Sequence, residues 1–138
     1  MLEFSGEFGE RAARRLRDEQ VVWLTTVGRD GTPQPSPVWF LWEDGAAIIY
    51  SKPDAPKVGN IARHPQVALS FNSTEHGDDV VILTGTAEAL DGGPLPNTNT
   101  AYIAKYAGGL DSLKMTPEQF AAEYSMPIRV TPTKLRGF

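Results

Sequence analysis

Apolar residues recur every four positions at the start of the chain: Phe4, Phe8, Ala12 and Leu16. That spacing sets one face of a helix. Ser5 stands where a cap belongs, Glu7 falls in the first turn, and Arg14, Arg15 and Arg17 lie near the end. Acid first and base last suits the helix dipole. A helix is predicted over residues 6–18. The period then shortens. "VVWLTTV" (Val21–Val27), "VWFLW" (Val38–Trp42), "AAIIYS" (Ala46–Ser51), "VALSF" (Val67–Phe71) and "VVILTGTAEAL" (Val80–Leu90) are short β-branched and aromatic runs that read as strands. Gly28–Gly31 marks a turn, and Asp44-Gly45 is a strong hairpin signal. Gly85 is placed for a bulge or bend. Strand alternation puts Trp39 and Leu41 on one side, Phe40 and Trp42 on the other.

A short helix over residues 55–63 follows the third strand. Asp54 can cap it, Pro56 suits its first turn, and Val58, Ile61 and Ala62 form its apolar side. Pro65 stops it. Asn72–Asp79 is a polar loop. Tyr102, Ile103 and Tyr106 suggest a helix over residues 99–107. Thr116, Pro117 and Gln119 open another with a capping box. Pro127–Leu135 looks like a closing strand. Residues 1–138 show no linker or repeat and suggest one domain. Short strands joined by tight turns, with one helix among the first five, point to an antiparallel β-barrel decorated by helices.

"TPQPSPVW" places proline at positions 33, 35 and 37. Alternate N–H groups of a strand point to the same edge, so one edge lacks successive donors while Gln34, Ser36 and Val38 keep theirs on the other. Such a segment cannot run mid-sheet as an ordinary strand. It is an edge guarded against aggregation, a bulge, or a stiff wall against which a flat ligand lies.

Hydrophobic residues make up 41% of the chain, enough for one core. A net charge of -4 argues against a general nucleic-acid binder. The absence of cysteine excludes disulfides, thiolate nucleophiles and cysteine metal sites. "MLEFSGEFGE" does not read as a signal peptide, and no apolar run approaches a membrane span. A cytoplasmic protein is the expectation. His64 and His76 sit far apart, so no metal site is expected from a chain with two histidines. Glu75, Asp78 and Asp79 read as a solvated loop rather than as paired catalytic acids. Trp23, Trp39 and Trp42 read first as core, with Trp39 the best candidate for a ligand platform.

One feature resists the structural reading. Lys57 falls in the first turn of the short helix, with Lys52 just before it. A helix N-terminus is partially positive, so a lysine there opposes the dipole. Lys52 alone reads as an exposed surface charge. A bound phosphate would reverse the sign for both, since helix N-termini take anions and lysines add point charges.

The run "VVWLTTVGRDGTPQPSPVWFLWEDGAAIIYS" followed by "KPDAPKVGNIARHPQVALSF" resembles the pyridoxamine 5′-phosphate oxidase-like split β-barrel superfamily over nearly the whole chain. The ending "IRVTPTKLRGF" and the short loops are most similar to the small F420 (deazaflavin)-dependent oxidoreductases of actinobacteria. The resemblance implies a split antiparallel β-barrel that forms a homodimer, with two cofactor sites at the interface. It implies a cofactor phosphate held by Lys57, with Ser51 and Lys52 facing it. It also implies a flavin-type ring lined by Ser36, Pro37, Val38 and Trp39. Asn60, one turn after Lys57, is a further polar contact, and the loop from Asn72 would reach the partner's cofactor.

Vitamin B6 oxidases of the superfamily use FMN and end with an arginine and a glutamate–phenylalanine–tryptophan–glutamine pattern. This chain ends "TPTKLRGF" and lacks it. Oxidation of pyridoxamine phosphate itself is therefore not expected, and the resemblance implies F420 as the cofactor, with FMN the alternative. The anionic F420 tail needs local basic surface, which Lys52, Lys57 and Arg63 or the row Arg11, Arg14, Arg15 and Arg17 would supply. The row also reads as a solvated helix end. The expected activity is hydride transfer from reduced F420 to an electron-poor small-molecule acceptor. The alternatives are an FMN-dependent oxidoreductase of the same fold and a non-catalytic flavin- or haem-binding protein. No catalytic side chain is evident from the residues.

Overall fold

The computed structural model describes residues 2–138. Helix α1 (Gly6–Asp18) precedes strands β1 (Val21–Val27), β2 (Pro33–Trp39), β3 (Leu41–Glu43) and β4 (Ala46–Ser51). Helix α2 (Pro56–Arg63), β5 (Gln66–Ser70) and β6 (Val81–Ala89) follow. Three helices come next, α3 (Thr100–Lys105), α4 (Ala107–Leu113) and α5 (Pro117–Glu123), before the closing strand β7 (Met126–Gly137). The seven strands form one antiparallel sheet in the order β2-β1-β5-β6-β7-β4-β3. This is the mainly β half-barrel of the split-barrel fold.

The tight turns follow local chemistry. Asp44 and Gly45 both take positive φ, 52° and 77°, which a two-residue hairpin of type I′ requires. At Gly85 the β6–β7 register shifts. A Cβ there would lie 2.1 Å from the Thr131 carbonyl oxygen, so the close approach of the two strands needs glycine. The capping box at Thr116 and Gln119 is complete.

Several expectations need correction. The second strand is not Val38–Trp42 but runs from Pro33 to Trp39, and Phe40 separates it from β3. The three prolines are thus inside a strand, opposite Val27, Thr25 and Trp23 of β1. The sheet tolerates them because β2 is its outermost strand, as an edge role requires. Helix α2 begins one residue later than the Asp54 cap implies: Ala55 is the N-cap, and no side chain caps the helix. On α2, Ile61 is buried and Val58 packs on the core, but Ala62 is exposed. Ser5 occupies the α1 N-cap without making a side-chain bond. Helix α4 was not expected, because "AGGLDSL" has no helical period.

Strand β4 is buried along its whole length, and its alternation explains why. Ala47 and Ile49 join the main core with Phe40 on one face; Ile48 and Tyr50 join a second cluster with Tyr102, Tyr106, Leu110 and Phe120 on the other. Trp39 and Leu41 pack on that second cluster and Trp42 on the first, as alternation predicts. The helices α3–α5 therefore roof the outer face of β3 and β4. Their meeting line with β2 and α2 is where the sheet leaves a hollow.

Candidate functional site

That hollow is a cavity of about 410 Å³, a size that suits a small molecule. Pro37, Val38 and Trp39 come from the end of β2; Tyr50, Ser51 and Lys52 from the end of β4; Ala55 and Lys57 from the start of α2. Tyr102, Leu113, Phe120 and Tyr124 close it from the helical roof. Chain segments that are far apart in sequence converge because β4 passes beneath the roof and turns directly into α2.

The strand-and-α2 side is cationic. Lys57 is half-buried, and among the described residues it has no acidic partner. Burial pushes its amine below the usual lysine range. It stands second in α2, whose N-terminus has no side-chain cap. Lys52 is exposed, with its Nζ 5.6 Å from the Tyr124 ring centre. Ser51 is buried and its hydroxyl donates to the Lys52 carbonyl at 2.9 Å. A carboxylate would normally accompany such charges in a folded protein. Pro56 has no N–H and the Val58 N–H donates to the Ala55 carbonyl at 3.0 Å, so it is the dipole of the α2 N-terminus that adds to the lysines in one positive field.

The roof side is aromatic. The Trp39 ring stacks on Tyr106 at 4.5 Å and on Phe120 at 5.7 Å. Phe120 stacks on Tyr124 at 4.4 Å. Gly109 of α4 sits so close that a Cβ would lie 2.8 Å from the Trp39 ring. The strand break at Phe40 is held by the same helices. Its amide donates to the Tyr106 hydroxyl at 2.7 Å, and its carbonyl accepts from Lys105 Nζ at 2.8 Å. Burial lowers the Lys105 amine to about 8. These bonds fix the backbone beside Trp39 and hence the attitude of its ring.

Of the residues expected at a cofactor, Pro37, Val38, Trp39, Ser51, Lys52 and Lys57 line this one cavity. Ser36 and Asn60 are not among its lining residues. Asn60 is buried, and both ends of its amide are engaged: it donates to Thr26 Oγ1 at 3.1 Å and Gln34 Oε1 at 2.8 Å, and accepts from Arg63 at 2.7 Å. Its observed place is that of a polar brace between α2 and the β1–β2 hairpin. The aromatic residues Tyr50, Tyr102, Phe120 and Tyr124 escaped the sequence reading. The tyrosines at 102 and 106 marked a helix, and nothing local tied that helix to β4.

The first-helix arginines have other work. Arg11 and Arg15 pair with Asp79, and Arg15 pairs also with Glu19. Arg15 donates to the Asn72 carbonyl at 2.7 Å, and Arg11 to the Phe138 carbonyl at 3.1 Å. Asp79 is thus an ion-pair anchor rather than a solvated loop acid, and this part of the row is neither a solvated helix end nor a free basic surface. Glu75 and Asp78 are exposed, as are His64 and His76. Among the described residues no group of histidine and carboxylate side chains could hold a metal ion. No described helix is long and apolar enough to cross a membrane.

No curated protein matches the chain. Solved structures of the same fold do. An F420 reductase superposes with a TM-score of 0.66 at 23% identity, covering 89% of this chain and 94% of its own. A FAD-binding protein from Mesorhizobium loti superposes with a TM-score of 0.66 at 17% identity, covering 91% and 90%. HutZ, the heme storage protein from Vibrio cholerae, superposes with a TM-score of 0.66 at 16% identity, covering 99% and 95%. At these identities the likeness is one of fold, and that fold serves proteins named for deazaflavin, flavin and haem. The sequence profile of pyridoxamine 5′-phosphate oxidase matches residues 8–135, from the first turn of α1 into the last part of β7, so the chain belongs to the pyridoxamine 5′-phosphate oxidase family.

Proposed function

We propose that this protein is an oxidoreductase that binds a phosphate-bearing flavin-type cofactor, F420 foremost, in the cavity between β2, β4, α2 and the helical roof. The observation that carries this reading is Lys57: a half-buried cation with no acidic partner among the described residues, in the first turn of a helix that no side chain caps. An unpaired charge in that position costs stability unless an anion is bound there. A phosphate would answer the lysines and the positive end of the helix dipole together. Lys57 and Lys52 would hold it, with Ser51 beside them. Pro37, Val38 and Trp39 would support the ring, and Ser36 would lie behind them on β2.

The chemistry supplied there is hydride transfer from the reduced deazaflavin to an electron-poor small molecule. The chain's own part is to bind, orient and keep water out; the apolar roof serves the last of these. FMN is the second reading. It too carries a phosphate, so Lys57 does not separate the two cofactors. The preference for F420 rests on the resemblance of the run "IRVTPTKLRGF" and the short loops to F420-dependent oxidoreductases, together with the fold likeness to an F420 reductase. A haem site has less in its favour, since His64 and His76 are exposed and off the cavity. The working unit would be a homodimer, whose second copy completes each site. Titration of the purified protein with F420, FMN and haem, followed by tryptophan quenching, tests the proposal. Tightest binding is expected for F420, and preferred binding of haem would overturn the reading.

A further inference from the structure

Helix α2 carries Lys57 at one end of the cavity, β2 carries Pro37, Val38 and Trp39 at another, and one buried side chain ties the two elements together. Asn60 stands one turn after Lys57 and is 3% exposed. Its amide donates to Gln34 Oε1 on β2 at 2.8 Å and to Thr26 Oγ1 on β1 at 3.1 Å, and accepts from Arg63 at 2.7 Å. Packing alone does not call for this arrangement, since an apolar residue at position 60 would fill the space without burying an amide. Ile61 and Val58 already seat α2 on the core. Apolar contact is non-directional: it sets the depth of a helix and leaves sliding cheap. Hydrogen bonds are directional, so the Asn60 set fixes where along the sheet α2 stands. The β2 end of the tie is stiff. Gln34 sits between Pro33 and Pro35, and Pro37 follows, so φ is locked at every second residue on the way to Trp39. Asn60, Gln34, Thr26 and Arg63 all lie off the cavity.

We infer that Asn60 is a positioning residue that sets the span between the phosphate and ring ends of the cavity, and so selects a cofactor whose phosphate and ring are joined at that distance. The inference rests on reading the cavity as a flavin-type cofactor site and names what fixes its selectivity for length. A ligand that reaches both ends gains from both only when they are held at the matching separation. A ligand that reaches one end gains nothing from the span.

The readout is the affinity for FMN divided by that for riboflavin, the same ring without phosphate. F420 is compared likewise with its phosphate-free deazaflavin. Both ligands of a pair meet the same folded fraction of protein, so lost stability cancels from the ratio. Gln34→Met cuts the tie to β2 from an exposed position, and Asn60→Leu removes the whole network. The ratio should fall about threefold in Gln34→Met and about tenfold in Asn60→Leu, with riboflavin affinity held. If Asn60→Leu does not fold, Gln34→Met decides alone. An unchanged ratio in Gln34→Met overturns the inference; combined with a fall in Asn60→Leu, it makes Asn60 a direct ligand contact instead. Equal losses for the two ligands of a pair reduce the network to a structural role. Failure of the cofactor reading shows separately in wild type, as equal affinity for the phosphate-bearing and phosphate-free forms or binding of neither, and the inference falls with it.

Discussion

Helix α1 and helix α2 each carry a basic group toward the body of the protein, and the two groups have opposite company. Arg15 in α1 is mostly covered, its side chain 12% exposed, and it meets Asp79, Glu19 and the Asn72 carbonyl. Arg11 beside it meets Asp79 and the Phe138 carbonyl. Lys57 in α2 is half-buried, with burial lowering its amine, and meets no acid among the described residues. Arginines near the end of a helix also agree with its dipole, whereas Lys57 stands against one. A cation with its partners in place is part of the fold. A covered cation without them is the reason we propose an anion site at Lys57.

The largest effect expected from breaking this contrast is on the paired side. Arg15→Ala should lower unfolding free energy by about 2–3 kcal/mol, since it strands part of Asp79 and two acceptors. F420 affinity should stay as in wild type, because the α1 arginines do not line the cavity. Denaturant unfolding and cofactor titration read the two effects. Weaker cofactor binding at unchanged stability would exchange the roles assigned to α1 and α2.

Lys57→Met sharpens the contrast from the other side. In the cofactor-free protein it should raise stability by about 0.3–1 kcal/mol at neutral pH, by removing the clash with the helix dipole. The gain depends on pH with a definite sign. The folded-state amine lies below its unfolded value of 10.5, so below both values the charge is forced on a site that disfavours it. As pH rises through the folded value toward 10.5, the native state sheds this proton first, and wild type recovers relative to Lys57→Met. Bound cofactor should abolish that recovery, because an anion restores the charged amine. Urea melts of both proteins from pH 7 to above 10, with and without cofactor, test it.

The smallest effect belongs to Arg17, which pairs with Asp18 at 3.1 Å while its side chain is 65% exposed. Arg17→Ala should change stability by less than about 0.5 kcal/mol, and cofactor affinity not at all. A larger loss would mean that exposure is a poor guide to which α1 arginines matter.

Legibility in the sequence follows the same division between local and assembled features. Strands β1 and β4, helix α1 and the capping box at Thr116 were readable because near neighbours in sequence determine them. The Trp39/Phe40 alternation separated the two cores correctly because strand period alone decides it. Strand β2 was misplaced since its prolines oppose strand formation in general, and only its outermost position admits them. Helix α4 was missed because Gly108 and Gly109 disfavour a helix. Gly109 is there for the close approach to the Trp39 ring, a reason that lies far away in the chain. The candidate site divides likewise. Its cationic side was visible because Lys57 conflicts with a local rule. Its aromatic side was invisible because Tyr102, Phe120 and Tyr124 meet β4 only in the folded chain. Asn60 looked like a ligand contact by its spacing, and Thr26, Gln34 and Arg63 engage it instead.

The central claim is that Lys57 awaits a phosphate, and one pair of measurements on Lys57→Ala tests it most directly. Calorimetric titration with F420 and with FMN should show affinity for the bound cofactor lowered by about 1.5–3 kcal/mol, roughly 10- to 150-fold. Unfolding of the cofactor-free variant should show stability equal to wild type or slightly higher. Lys57→Arg should restore only part of the affinity, since a guanidinium fork differs in shape from a compact ammonium. Unchanged cofactor affinity in Lys57→Ala, with stability lost instead, would contradict the phosphate site and make Lys57 a structural residue like the arginines of α1.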